Sequence, residues 1–137
     1  MNQLYNTYIP DGFATVNSYL FTEHPIELIK ILENTFDAIE ISRTIHPTNG
    51  DIANVILTIG KSNIMIAQAR GKFTKMHSAL YLYADDVDKL HQQAIENGAI
   101  EEFAPADMPY GDRQSGIQDP SGNYWWISKR LVEKGYD

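Results

Sequence analysis

One stretch of this chain occurs twice. The segment Asn17-Ser-Tyr-Leu-Phe-Thr-Glu-His-Pro-Ile-Glu-Leu28 returns sixty-two positions later as Ala79-Leu-Tyr-Leu-Tyr-Ala-Asp-Asp-Val-Asp-Lys-Leu90. Tyr19 falls on Tyr81, Leu20 on Leu82, Phe21 on Tyr83, Glu23 on Asp85 and Leu28 on Leu90. After one slipped residue, Thr35-Phe-Asp-Ala38 falls on Glu96-Asn-Gly-Ala99. A repeat that keeps the order of its elements restricts the chain to two copies of one structural unit.

The unit can be read residue by residue. Ala14–Thr22 alternates and is rich in β-formers, which predicts a strand. Glu23-His24-Pro25 opens a helix, with Pro25 suited to the first turn. Ile26, Leu28, Ile29, Leu32 and Phe36 recur at helical spacing and give an apolar stripe through about Asn34. Strands follow at Ala38–Ile45, Asp51–Ile59 and Asn63–Ala69, separated by the turn residues Pro47-Thr-Asn-Gly50 and Gly60-Lys-Ser62. The second copy predicts a strand at Ser78–Ala84, a helix from about Asp86 to Asn97 and a short strand at Ala99–Phe103. Pro105–Pro109 is expected to loop out. Strands at Gly111–Gln118 and Asn123–Lys129 flank the turn Asp119-Pro-Ser-Gly122.

The expected fold is therefore α+β: two tandem β-α-β-β-β modules whose mixed sheet curves around a central cavity. Residues 14–70 form the first module, 71–75 a linker and 76–130 the second, within a single domain of 1–137. Its length and its 43% hydrophobic, 21% charged composition suit one buried core. Apolar runs such as Val55–Ile59 are too short to span a bilayer, and Met1–Pro10 does not read as a signal peptide. A chain without cysteine carries no disulfide or thiolate chemistry, so the cytoplasm is the expected location. The net charge of −7 and scattered Lys and Arg argue against nucleic acid as a partner.

Three motifs carry a resemblance. They are Tyr81-Leu-Tyr-Ala-Asp-Asp-Val-Asp88, Glu96-Asn-Gly-Ala99, and Tyr110-Gly-Asp-Arg113 running into Gly116-Ile-Gln-Asp-Pro-Ser-Gly-Asn-Tyr-Trp-Trp126. From about Ala14 to Ser128 the chain resembles the vicinal-oxygen-chelate superfamily of glyoxalases, bleomycin-resistance proteins and extradiol dioxygenases, and within it the PhnB-like branch. That resemblance implies a divalent cation held by His and Glu on the first and last strand of each module. Carried onto this chain, the four positions fall on Asn17, Gln68, Ala79 and Trp126. Ala79 and Trp126 cannot ligate, and Asn17 and Gln68 offer only weak neutral oxygens, so no metal or cofactor is expected. His77 lies two residues before Ala79 and shares its face by alternation. It is the residue that would restore a ligand, or else a hydrogen-bonded wall residue. His24, His46 and His91 are expected at the surface.

The cavity-facing parity set by those positions selects Thr15, Asn17, Tyr19 and Phe21 on the first strand, and Ile64, Ile66 and Gln68 on the first module's last. In the second module it selects His77, Ala79, Tyr81 and Tyr83, then Tyr124, Trp126 and Ser128. Val16, Leu20, Leu80, Leu82, Trp125 and Ile127 are expected beneath the helices. Arg113 is placed at the mouth to hold an anionic group, or in a local ion pair such as that with Asp112. The carboxylates of Asp85, Asp86 and Asp88 open a helix and meet its dipole. This aromatic wall suits a planar or cationic small molecule held by stacking and a few hydrogen bonds. The function expected is metal-independent small-molecule binding by a homodimer. The alternative is a metal-dependent lyase, isomerase or dioxygenase using His77. No catalytic residue is assigned.

Overall fold

A computed structural model describes residues 4–137. After a short 3-10 turn at Leu4–Asn6, the first module comprises β1 (Tyr19–Thr22), α1 (Pro25–Phe36), β2 (Ile39–Ile45), β3 (Ile52–Ile59) and β4 (Ser62–Gln68). The second comprises β5 (Ala79–Tyr83), α2 (Val87–Glu96), β6 (Ile100–Asp107), β7 (Asp112–Gln118) and β8 (Tyr124–Arg130). The expected β-α-β-β-β order is thus present twice. Each module is a mixed four-stranded sheet, in the order β1-β4-β3-β2 and β5-β8-β7-β6. In both, the first strand runs parallel to the last and the other pairings are antiparallel.

Helix α1 forms because Pro25 presets its first turn and Leu28, Ile29, Ile31, Leu32 and Phe36 line one buried face. Ile26 departs from the predicted stripe and is exposed. The helix stops at Asp37, a left-handed residue (φ 55°) whose short polar side chain tolerates that conformation. Helix α2 starts at Asp86, whose carboxylate accepts a hydrogen bond from the Lys89 N–H at 3.1 Å.

The two modules share one core. Leu20, Leu57 and Ile66 of the first sheet and Ile117, Trp125 and Ile127 of the second join the apolar faces of both helices in a single cluster. Phe36 of α1 meets Trp125 of β8 with ring centroids 5.1 Å apart, worth about 0.5–1.5 kcal/mol beyond area burial. Polar contacts also cross the junction, between Asn97 and Thr35 (3.0 Å) and between Thr22 and Ser121 (2.7 Å). The helices and the inner faces of both sheets are thereby closed off, and the outer sheet faces remain open. No helix among the described residues is long and apolar enough to cross a membrane.

Two elements differ from expectation. Strand β1 begins at Tyr19 rather than Ala14, because Asn17 folds back on Ala14, accepting from its N–H (2.8 Å) and donating to its carbonyl (2.7 Å). Val16 consequently does not pack beneath a helix and is 86% exposed. Strand β6 continues through Pro105 to Asp107 instead of looping out. It is an edge strand, and a register shift between Phe103 and Ala106 absorbs the proline's missing donor.

Candidate functional site

Register decides which side chains share a face. In the second module Ala79, Tyr81 and Tyr83 lie beside Tyr124, Trp126 and Ser128, which lie beside Gln118, Gly116 and Gln114. All of these point away from the helices, as do Asp112 and Arg130 two residues further along their strands. Gly116 leaves room for the Phe103 ring, which a Cβ would strike, and Phe103 lies 6.4 Å from Trp126 between ring centroids.

A polar network crosses this aromatic face. Asp112 is 0% exposed. Its Oδ1 accepts from the Arg130 guanidinium at 3.0 Å, and its Oδ2 accepts from Tyr81 at 2.5 Å and Tyr136 at 2.8 Å. Burial opposes ionisation of Asp112, but the donors Tyr81, Arg130 and Tyr136, with the charge of Arg130, hold its pKa below the usual carboxylate value. Burial and the neighbouring Asp112 push the Tyr81 phenol up, so it stays a donor. Gln114 donates to the hydroxyls of Tyr81 (2.5 Å) and Ser128 (2.7 Å), while its carbonyl oxygen accepts from Tyr110. No buried side-chain N or O among the described residues lacks a partner.

Above this network lies a cavity of about 710 Å³, walled by Ala79, Leu80, Tyr81, Tyr83, Tyr110, Gln114, Trp126 and Tyr136. A larger crevice of about 980 Å³ separates the modules, between the 12–18 segment, the 59–64 hairpin and the edge of β5. The smaller cavity has the convergent aromatics and oriented polar groups of a ligand site.

The first module repeats the plan in simpler chemistry. Tyr19 lies beside Met65 and Ile56, as Tyr81 lies beside Trp126 and Gly116. Asn54 donates to the Tyr19 hydroxyl at 3.2 Å, as Gln114 donates to that of Tyr81. Two residues back from Ile56 and Gly116 come Asn54 and Gln114, and two further back come Ile52 and Asp112. A register shift separates Asn54 from Ile52, and Ile52 joins the core cluster, so the first module has no counterpart of the second module's carboxylate. Each module is followed by a segment that returns an aromatic ring to its first strand. Phe73 stacks on Phe21 at 5.9 Å, and the Tyr136 hydroxyl lies 2.5 Å from that of Tyr83.

The structure distributes the expected wall residues over several places. Tyr81, Tyr83 and Trp126 converge on the cavity, and Tyr124 shares their face at its far end. Tyr19 and Phe21 stack at 4.8 Å on the first module's face, apart from that cavity. Asn17 lies outside β1 and lines the crevice. The assignment of Ile64, Ile66 and Gln68 to the outer face is corrected. Ile66 lies beside Leu20 and Gln68 beside Thr22, so these residues face the helices, and Met65 and Ala67 take the outer face. Gln68 donates to the Glu23 carbonyl at 3.2 Å.

Arg113 is not at the cavity mouth. It points toward α2, bonding both Asp88 oxygens (2.8 and 2.9 Å) and Asp107 (3.0 Å). These carboxylates raise its pKa, and it in turn lowers that of Asp88. Asp112, its chain neighbour, points the other way, to Arg130. His77 precedes β5 and covers the turn at Gly122, where an added Cβ would lie 2.6 Å from its Nε2. That turn is tied by Asp119, which accepts from the N–H groups of Ser121 (2.9 Å) and Asn123 (3.0 Å) and from the Trp125 indole (2.8 Å). Asn123 in turn holds the Ser78 N–H at 2.9 Å, fixing the entry to β5.

His91, expected at the surface, is 5% exposed. Its Nδ1 shares a 2.8 Å hydrogen bond with Ser115 Oγ and its Nε2 lies 2.8 Å from Glu101. The order Ser-His-Glu resembles a hydrolase triad, but Ser115 is 0% exposed beneath α2 and no carbonyl can reach it. The trio pins α2 to its sheet. Sequence reading missed Tyr110, Asp112, Gln114, Arg130 and Tyr136 as site residues. Counting back from the Asp119–Gly122 turn would have placed Asp112 opposite Arg130, whereas nothing periodic marks Tyr136.

Residues 16–127 match the family model described as Glyoxalase/Bleomycin resistance protein/Dioxygenase superfamily. The chain belongs to that superfamily. An uncharacterized protein of Mycobacterium bovis is 26% identical over 133 residues, covering 89% of this chain and 87% of its relative. Two solved structures superpose well on this chain. TioX from Micromonospora sp. ML1 gives a TM-score of 0.70 at 21% identity, covering 85% of this chain and 99% of TioX. The PhnB protein from Bacillus cereus gives 0.65 at 14% identity, covering 85% and 99%. At these identities the likeness shows the fold.

The cation implied by the superfamily does not fit this donor set. Of the four positions, Ala79 and Trp126 have no ligating atom. Asn17 is occupied with Ala14, and register puts the thioether of Met65, not Gln68, beside the Tyr19 position. Among the described residues no group of three or more His, Cys, Asp or Glu could hold a metal ion.

Proposed function

We propose that this protein binds a small aromatic molecule on the outer face of its second module, without a metal and without transforming it. One observation carries this reading: the positions that would ligate a metal hold Ala79 and Trp126, and Trp126 joins Tyr81, Tyr83 and Tyr110 in an aromatic wall above oriented polar groups. Aromatic faces supply stacking over a wide range of rings, while Gln114 and Asp112 supply direction. The placement of His77 over the Gly122 turn also favours the metal-free reading, since no carboxylate joins it there.

Ligand binding must raise stability. In a thermal-shift screen of planar aromatics such as indole, quinoline and 2-naphthol, at least one ring raises Tm, and Trp126→Ala abolishes the rise. No shift with any ring defeats the proposal. So does stoichiometric zinc, nickel, manganese or iron in protein purified without chelator, if that metal is lost with His77→Ala. We also propose a homodimer in the cytoplasm. Ile39 and Ile41 on the edge strand β2, with Tyr19, Tyr81 and Tyr83, leave apolar surface on both outer faces that pairing would cover. Sedimentation at micromolar concentration should give the dimer mass, and a monomer contradicts it.

A further inference from the structure

The segment after β8 contains an unusual contact. Residues 131–137 form no helix or strand and are exposed throughout, yet Tyr136 reaches back to a fully buried carboxylate. Its hydroxyl donates to Asp112 Oδ2 at 2.8 Å and lies 2.5 Å from the Tyr83 hydroxyl. The ring itself is 54% exposed and forms one wall of the cavity. Arg130 holds this arrangement together. Its Nε and Nη2 donate to the carbonyls of Lys134 (2.9 Å) and Gly135 (2.6 Å), and its guanidinium lies 4.1 Å from the Tyr136 ring centroid. The segment approaches from outside, and hydrogen bonds with one cation–π contact hold its far end. Such a contact lies at the low end of local stability.

We infer that the second-module cavity is a receptor for a phenolic ring, which takes the place Tyr136 holds between Asp112, Tyr83 and Arg130. This deepens the aromatic-binding reading above and rests on it. When Tyr136 swings out, the slot it leaves has a defined chemistry. Asp112 Oδ2 keeps Tyr81 but loses a donor, the Tyr83 hydroxyl loses its partner, and the Arg130 face is bared. One aryl hydroxyl answers all three: it donates to Asp112, accepts from Tyr83, and its ring covers the guanidinium.

Other ligand classes fit less well. A cation would face Arg130, which already balances Asp112 at 3.0 Å. An anion would face the Asp112 carboxylate. A ring without a hydroxyl would leave a buried charged acceptor short of a donor, which is the costly case. The protein's own tyrosine thus marks the chemical class of the ligand. It also competes with it, lowering apparent affinity by the fraction of time the slot is filled.

The probes are 4-methylphenol and 4-methylanisole, which has the same ring but no donor. Both are titrated by tryptophan fluorescence into the full chain, Tyr136→Ala and Tyr136→Phe. Tyr136→Ala should bind 4-methylphenol about tenfold more tightly than the parent, as expected from removing a competitor that donates to a charged acceptor. Tyr136→Phe should fall between them, and 4-methylanisole should bind each chain about tenfold more weakly than 4-methylphenol. Equal affinity of parent and Tyr136→Ala for 4-methylphenol overturns the inference while leaving aromatic binding intact. So does 4-methylanisole binding as tightly as 4-methylphenol. Binding of neither ring to any of the three chains also overturns the inference, and the aromatic-binding reading falls with it only if indole, quinoline and 2-naphthol fail as well.

Discussion

The two modules share a skeleton and differ in what they hang on it. Both have a tyrosine on the first strand, an amide on the third that donates to it, and a returning aromatic ring. In the first module the rest of the outer face is Met65, Ala67 and Ile56, and Ile52, the residue that matches Asp112 by count, joins the core cluster. In the second, the matching places hold Trp126, Ser128, Gly116 and the buried Asp112, with Arg130 opposite. One copy is a plain packed surface. The other has a buried ion pair beneath a wall of tilted aromatic rings. Aromatic residues occur in both copies, so the polar network is what sets the second apart.

The largest effect is expected at Asp112. Asp112→Ala leaves Arg130 and two phenols without their acceptor and should cost about 3–5 kcal/mol in urea unfolding. The double variant Asp112→Ile with Arg130→Ala gives the second module the apolar residues that match by count in the first, Ile52 and Ala69, the latter four residues after Met65 as Arg130 is four after Trp126. It should recover to within about 2 kcal/mol of the parent, because an apolar pair can replace a buried ion pair. Failure to recover would mean that the two modules are not interchangeable at this place.

Acid should sharpen the same contrast. The folded pKa of Asp112 is depressed, so its stabilisation is fully present above the unfolded value of about 3.9 and is lost as pH falls through the folded pKa. Below about pH 4 the parent should therefore lose stability more steeply than the double variant, as measured by thermal melts across pH. The smallest effects separate the two tyrosines. Tyr81→Phe removes one of the donors to the buried Asp112 carboxylate and should cost about 1.5 kcal/mol, while Tyr19→Phe, which loses only an exposed amide donor, should cost about 0.5 kcal/mol.

Much of the fold was legible because its signals are local. Alternation, the helical stripe and turn residues each need only a few neighbours, and the repeat supplied their order. The outer face of β4 was misread for a physical reason: strand parity is all-or-none. A ligand position carried over one residue out, to Gln68, turned Ile64 and Ile66 outward, and only the pairing of Tyr19 with Met65 corrects it. Arg113 misled in the same way, since Asp112 and Arg113 are adjacent but face opposite sides of β7. The contact of Tyr136 was beyond reach, because an irregular segment carries no period from which its destination could be read.

The parallel pairing of first with last strand has a consequence in time. Tyr19 cannot meet Met65, nor Tyr81 meet Trp126, until the whole intervening unit has been made. Neither sheet can be completed by local zippering, and each waits for a loop of tens of residues to close. On the ribosome the chain emerges with its leading strand unpaired until the trailing one arrives. Asn123, which grips the Ser78 amide, then acts as the clasp that ends the second wait.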